Sequence, residues 1–178
     1  MHKQPVNLEP RWRKFLDEID TLLSSPVQLI CIGGFVVTAI HGFSRNTEDL
    51  DHIASRGEII TELDTIAGSG SPLHRKHKLY IDYVGVVTMP INFDERLIQL
   101  QIQSKKVTYF IPEVYDLVLS KLERNSPKDY SDVEYLANKY ALSFSTLLRR
   151  FNEELDFIPN RERHLQTLTV FWQEWFQE

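Results

Sequence analysis

The run Val27-Gln28-Leu29-Ile30-Cys31-Ile32 ends on Gly33-Gly34, and a second apolar stretch, Phe35 to Ile40, begins at once. A short, mostly apolar run ended by glycines suits a buried strand that turns directly into a short helix. This strand, glycine turn and helix unit commits the front of the chain to a mixed α/β arrangement. Before it, Trp12, Phe15, Leu16, Ile19, Leu22 and Leu23 recur at helical spacing, which predicts an amphipathic helix over about residues 10–24, stopped near Pro26. After the loop 41–47, Asp49-Leu50-Asp51-His52-Ile53 begins with the polar and apolar alternation of a half-buried strand, its carboxylates on one face.

Further along, Ile59, Ile60, Leu63 and Ile66 predict a helix over about 58–67, and residues 68–72 read as a loop. Residues 79–87, rich in aromatic and branched side chains, predict a strand. The stretch 91–104 carries no clear period. Val107 to Phe110 predicts a last strand before Pro112, which is well placed at the first turn of a helix. Everything beyond reads as helical, near 112–125, 127–140, 143–156 and 161–177, with breaks at Asn125-Ser126-Pro127 and Ile158-Pro159-Asn160. The expected fold class is α+β: a mixed β-sheet with flanking helices over 1–111, then a helical C-terminal region, 112–178, packed on it.

At 178 residues and 42% apolar content the chain can bury a core without stapling. Cys31 is the single cysteine, which excludes an internal disulfide framework and a multi-cysteine zinc site and fits a reducing cytosol. Residues 1–5 lack the apolar run of a secretory signal. The longest apolar stretch, Leu29 to Ile40, is interrupted by Gly33, Gly34 and Thr38 and is too short to span a membrane. A soluble cytoplasmic protein is the expectation. A net charge of −5 argues against binding duplex nucleic acid over the whole surface and leaves room for a local basic patch.

Asp49 and Asp51 stand two apart on a predicted strand, so their side chains leave one face and can converge on a hard cation such as magnesium. Asp82 lies in the middle of another predicted strand, where burial is costly unless it joins a charged or metal-bound group. Three such carboxylates suggest a metal centre for phosphoryl chemistry; the plainer alternative is a solvated strand end. Gly33-Gly34 sits where backbone can approach phosphate and a helix start offers free N–H groups, with an ordinary tight turn as the alternative.

Farther on, Val114, Leu117 and Val118 define a buried helical stripe with Lys121 inside its arc and Arg124 at its edge, while Asp129 falls on the Leu136 and Tyr140 side of the next helix. An inward lysine and aspartate need partners. Either they pair with each other, or Lys121 reaches a nucleotide's phosphates. The run His74-Arg75-Lys76-His77-Lys78 is a solvated loop or a path for a phosphate backbone. His41, His52, His74 and His77 have no zinc-like spacing. Phe171, Trp172, Trp175 and Phe176 form an aromatic stripe suited to a core or a dimer contact.

In order along the chain, Ile32-Gly33-Gly34-Phe35, His41-Gly42, Ser44-Arg45, Thr47 and Asp49-Leu50-Asp51 resemble the signature of the nucleotidyltransferase fold of the DNA polymerase beta superfamily. The likeness is strongest to small bacterial stand-alone members, including the abortive-infection nucleotidyltransferase toxins. Asp116, Leu117, Ser120-Lys121-Leu122, Arg124, Lys128-Asp129 and Asp132 are similar to a later stretch of those toxin-like proteins, and the resemblance covers about residues 28–140.

The resemblance implies transfer of a nucleoside monophosphate from an NTP to an acceptor hydroxyl, with release of pyrophosphate. It implies catalytic and metal-binding roles for Asp49, Asp51 and Asp82, with Asp94 the fallback for the third acid. Two magnesium ions are implied, with manganese as a substitute, and phosphate contacts from Gly33, Gly34, Ser44, Arg45 and Lys121. The implied acceptors are a tRNA 3′ end, a protein or a small molecule such as an aminoglycoside. The implied partners are a cognate antitoxin or a second copy of the chain, with no membrane. Two rival readings stand beside this one. One is a catalytically silent nucleotide-binding or protein-interaction module of a toxin–antitoxin pair. The other is a metal-dependent nuclease, which leaves the Gly-Gly turn without a purpose.

Overall fold

Val27, Leu29 and Cys31 are buried while Gln28 is exposed, the alternation of a strand with one face against a core. In the computed structural model, which describes residues 2–54, 57–122 and 126–176, six strands form one mixed sheet. They are β1 (His2–Pro5), β2 (Val27–Cys31), β3 (Asp49–Ala54), β4 (Tyr80–Tyr83), β5 (Ile98–Gln101) and β6 (Val107–Ile111), in the order β1-β5-β6-β2-β3-β4. β2 pairs parallel with β6 and antiparallel with β3, and β3 pairs parallel with β4. The mixed sheet and its helices match the expected fold class. Arg124 and the side chains of Trp175 and Phe176 lie outside the described residues.

The chain divides into two compact units, Met1–Gly85 with Leu97–Pro112, and Val86–Arg96 with Glu113–Glu178. The first holds the whole sheet and four helices: α1 (Pro10–Leu22), α2 (Gly33–Phe35), α3 (Gly57–Ala67) and α4 (Pro72–His77). α1 buries Trp12, Phe15, Leu16 and Ile19 at helical spacing, and the Trp12 ring meets Phe35 edge-on with centroids 4.7 Å apart. α2 widens at once into a π turn, Val36–Ile40, in which His41 N–H donates to Val36 O at 2.9 Å. Cys31 is fully buried on β2, and burial pushes its thiol well above the ordinary range.

Asp20 ties α1 to the loop that leads into β6. Its carboxylate accepts from the backbone N–H groups of Lys105 (2.9 Å), Lys106 (2.6 Å) and Val107 (3.1 Å), and from the Ser104 hydroxyl. Partial burial works to raise its pKa, but these four donors outweigh that and hold the carboxyl down at about 2.

Four elements depart from expectation. The helix expected from Pro112 begins only at Val114 with Glu113 as its N-cap, so Pro112 stands before the helix and not in its first turn. β1 has no periodic signal and pairs parallel with β5, His2 opposite Ile98 and Pro5 opposite Gln101. Residues 72–77, expected as loop and basic run, are helical because Ser71 caps the first turn by accepting from His74 N–H, Pro72 starts it, and Lys78 closes it with φ +56°. β4 stops at Tyr83, short of the expected Val87. Its last ladder contact is Val84 N–H to His52 O, and Val86 beyond it is almost fully exposed.

The second unit contains α5 (Val114–Ser120), α6 (Pro127–Tyr140), α7 (Phe144–Glu154) and α8 (Arg161–Phe176). Leu117, Val118, Leu136, Leu147 and Phe151 fill its core. Asp116 is fully buried there and accepts from Arg96 Nε and Nη2 (2.8 and 2.9 Å) and from Arg150 Nη1 (2.8 Å). Arg96 also donates to Glu154 at 2.7 Å, and Arg150 to Glu113 at 2.6 Å, so the network leaves none of these charges isolated. No helix among the described residues is long and apolar enough to cross a membrane.

Replacing Asp20 with Ala is expected to lower stability by about 2 kcal/mol, the range for hydrogen bonds to a charged group, in urea unfolding at neutral pH. Because folding depresses this carboxyl from 3.8 to about 2, its contribution is present above pH 3.8 and fades as the pH falls toward 2. The stability gap between the native chain and Asp20→Asn should close over that window.

Candidate active site

Strand register decides which carboxylates share a face. In the parallel β3–β4 pair, Asp49 stands opposite Tyr80 and Asp51 opposite Asp82. Residues two apart on a strand face the same way, as do register partners, so Asp49, Asp51, Tyr80 and Asp82 lie on one face. Leu50, His52, Ile81 and Tyr83 lie on the other. Leu50 and Ile81 are buried there and hold the pair in place. His52 is also buried on that side, its ring 5.8 Å from Tyr83, and desolvation pushes its pKa down to about 4. It is therefore neutral at ordinary pH and turned away from the carboxylates.

The glycine turn closes over Asp51. Ile32 N–H donates to Asp51 O at 2.9 Å, which joins the end of β2 to the middle of β3. Gly33 follows with φ +68°, and a Cβ there would lie 2.0 Å from Asp51 Oδ2. A Cβ on Gly34 would lie 2.9 Å from Thr47 Oγ1 and 3.1 Å from Arg45 Nη2. The Asp51, Thr47 and Arg45 side chains thus occupy the space that β-carbons on the two glycines would need.

That loop carries Ser44, exposed, Arg45 and Thr47. The Thr47 hydroxyl donates to Asp49 Oδ1 at 2.6 Å and orients it. Arg11, from the first turn of α1, reaches Thr47 O (3.4 Å) and Lys78 O (3.5 Å), just upstream of β3 and β4. A polar recess lined by Arg11, Trp12, Thr38, Arg45, Asn46 and Thr47 opens beside the turn.

The donor set suits a hard divalent cation, being carboxylate oxygen throughout. Asp82 is exposed, and its side chain makes no hydrogen bond or ion pair among the described residues. The three carboxylates share a face without being gathered into a cage: among the described residues no three His, Cys, Asp or Glu side chains stand close enough to enclose an ion. Burial, and then the charges of Asp49, Asp82, Asp51 and Glu48, push the Tyr80 phenol above its ordinary pKa, so Tyr80 sits in the field of all three acids. Neither Tyr80 nor Arg11 was among the site residues expected from sequence. The signal for Tyr80 was its i, i+2 relation to Asp82.

Residues 12–178 match a family model described as a nucleotidyltransferase of unknown function (DUF6036). The chain belongs to this family. No curated protein and no solved structure matches it. The nucleotidyltransferase assignment drawn from the Gly-Gly and Asp-x-Asp motifs therefore holds at the level of the family.

The remaining site residues expected of a nucleotidyltransferase lie in the second unit. Lys121, only 3% exposed, directs Nζ to Asp132 Oδ2 at 2.8 Å and to Asp129 Oδ1 at 3.5 Å. The inward lysine and aspartate anticipated from helix geometry are both present, with Asp132 the nearer partner. Asp129 also forms a capping box with Ser126 at the start of α6. Asp94, the fallback acid, is exposed on the 3₁₀ turn Phe93–Arg96, whereas Asp82 is the residue in register with Asp51.

Two substitutions check these roles. Gly33→Ala is expected to lower stability by about 1–2 kcal/mol from the left-handed backbone alone, before the Cβ displaces the Asp51 carboxylate, and thermal unfolding reads the loss. Lys121→Met leaves buried acids without their ammonium and is expected to cost about 3–5 kcal/mol, measured by denaturant unfolding. A well-folded Lys121→Met that loses only nucleotide binding would assign the lysine to phosphate instead.

Proposed function

We propose that this nucleotidyltransferase moves a nucleoside monophosphate from an NTP to an acceptor hydroxyl, at the face shared by Asp49, Asp51 and Asp82. The observation that carries the reading is the register of β3 and β4, which sets Asp51 opposite Asp82 beside a glycine turn that presses on Asp51 itself. Asp49, Asp51 and Asp82 are the residues that would hold divalent metal. Magnesium, with manganese as a substitute, supplies activation of the attacking hydroxyl and neutralisation of the triphosphate when bound.

The chain's own residues divide the remaining work. Gly33 and Gly34, lacking side chains of their own, let the turn close on Asp51, Thr47 and Arg45, so that phosphate bound at the turn would lie beside the carboxylates and the guanidinium. Thr47 fixes the Asp49 carboxylate through its 2.6 Å hydrogen bond, so that one acid is oriented before substrate arrives. Arg45, held on the loop beside Gly34, brings a guanidinium to the side where pyrophosphate leaves and develops charge, and Ser44 on the same loop offers a hydroxyl. The acceptor hydroxyl belongs to a tRNA 3′ end, a protein or a small molecule.

Incubation with magnesium, each α-labelled NTP, total tRNA and cell extract tests the reading. Label is expected on one acceptor class with the native protein, and none above background with Asp49→Ala/Asp51→Ala. Nucleotide bound without transfer to any acceptor would favour the silent-module reading. Cleavage of the added RNA, abolished by the same double substitution, would favour a nuclease.

A further inference from the structure

We infer that Tyr80 is a further substrate-binding residue of this site, its hydroxyl donating a hydrogen bond to a phosphate oxygen of the bound nucleoside triphosphate. The inference rests on the nucleotidyl-transfer reading and extends it to a residue outside the motif. Three observations carry it. Tyr80 is in register with Asp49 and two residues from Asp82, so its side chain leaves the sheet on the carboxylate face. It is half-buried, yet its hydroxyl makes no hydrogen bond among the described residues. That hydroxyl is not among the buried polar atoms, so it stands open to a ligand from solvent.

The ring, by contrast, is held in place. It lies against His74 with centroids 4.9 Å apart and planes tilted by 47°. His74 is itself anchored at both ends: its Nδ1 accepts from Gly70 N–H at 2.8 Å, and its backbone N–H donates to the Ser71 hydroxyl. A ring packed on an anchored neighbour, with an uncommitted hydroxyl, suits a preorganised ligand contact.

The choice of side chain follows from its neighbours. A lysine or arginine among Asp49, Asp51 and Asp82 would pair with the carboxylates and compete for them with metal. A phenol is neutral, and it donates to a phosphoryl oxygen without drawing the acids away.

Calorimetric titration of a non-hydrolysable NTP analogue with magnesium, set beside a titration of manganese alone, tests the assignment. Tyr80→Phe keeps the ring and its packing on His74, and is expected to bind the analogue about 10-fold more weakly with manganese affinity unchanged. Equal affinity for the analogue in Tyr80→Phe and native protein overturns the inference and leaves the nucleotidyl-transfer reading intact. A parallel loss of manganese affinity also overturns it, since Tyr80 would then serve the carboxylates. Weakening in Tyr80→Leu but not in Tyr80→Phe assigns the effect to ring packing and rejects the hydroxyl contact. Native protein that binds no nucleotide refutes both readings together.

Discussion

Asp51 Oδ2 occupies the place where a β-carbon on Gly33 would stand, and the first unit is arranged around that one steric fact. The chain can leave β2 past Asp51 only with a residue that accepts φ +68° and has no side chain. The turn then runs into α2 and its π turn. These carry the backbone to the loop that returns with Arg45 and Thr47 against Gly34. Thr47 in turn fixes Asp49, the first residue of β3. Carboxylates, glycine turn and guanidinium are thus brought together by a single close approach rather than by independent contacts.

The two units place their charges differently. In the second, Asp116 is matched by Arg96 and Arg150, and Lys121 by Asp132 and Asp129, each pair withdrawn from water with its hydrogen bonds largely met. Such clusters contribute little net stability but make the removal of any one member expensive. In the first, Asp49, Asp51 and Asp82 share a sheet face with Arg45 on the neighbouring loop, and the Tyr80 phenol registers the joint field of the acids.

The strand-turn-helix unit and the Asp-x-Asp strand were legible in the sequence because the hydrophobic period changes at Gly33 and alternates through Asp49 to Asp51, both local properties. β1 was not, since residues 2–5 are mostly polar and their partner, β5, lies more than ninety positions away. α4 was hidden by its composition: one buried leucine, Leu73, among basic residues gives no apolar stripe, and the helix depends on the Ser71 cap. Lys121 was correctly turned inward by helical geometry, but its nearer partner, Asp132, sits one turn beyond Asp129 on α6, and only the packing of α5 and α6 selects between them. Tyr80 escaped notice because an aromatic residue on a strand normally belongs to a core. Its place among the acids is a matter of register, which long-range pairing sets.

Cys31 gives the fold a built-in reporter. The thiol lies at the centre of the sheet on the strand that precedes the glycine turn, fully withdrawn from solvent, and it is the chain's single cysteine. A thiol so placed is silent toward alkylating reagents while β2 keeps its neighbours and becomes reactive only when the sheet parts. The rate at which the native protein takes up such a reagent therefore measures how often this sheet opens, without a fluorophore or an introduced label.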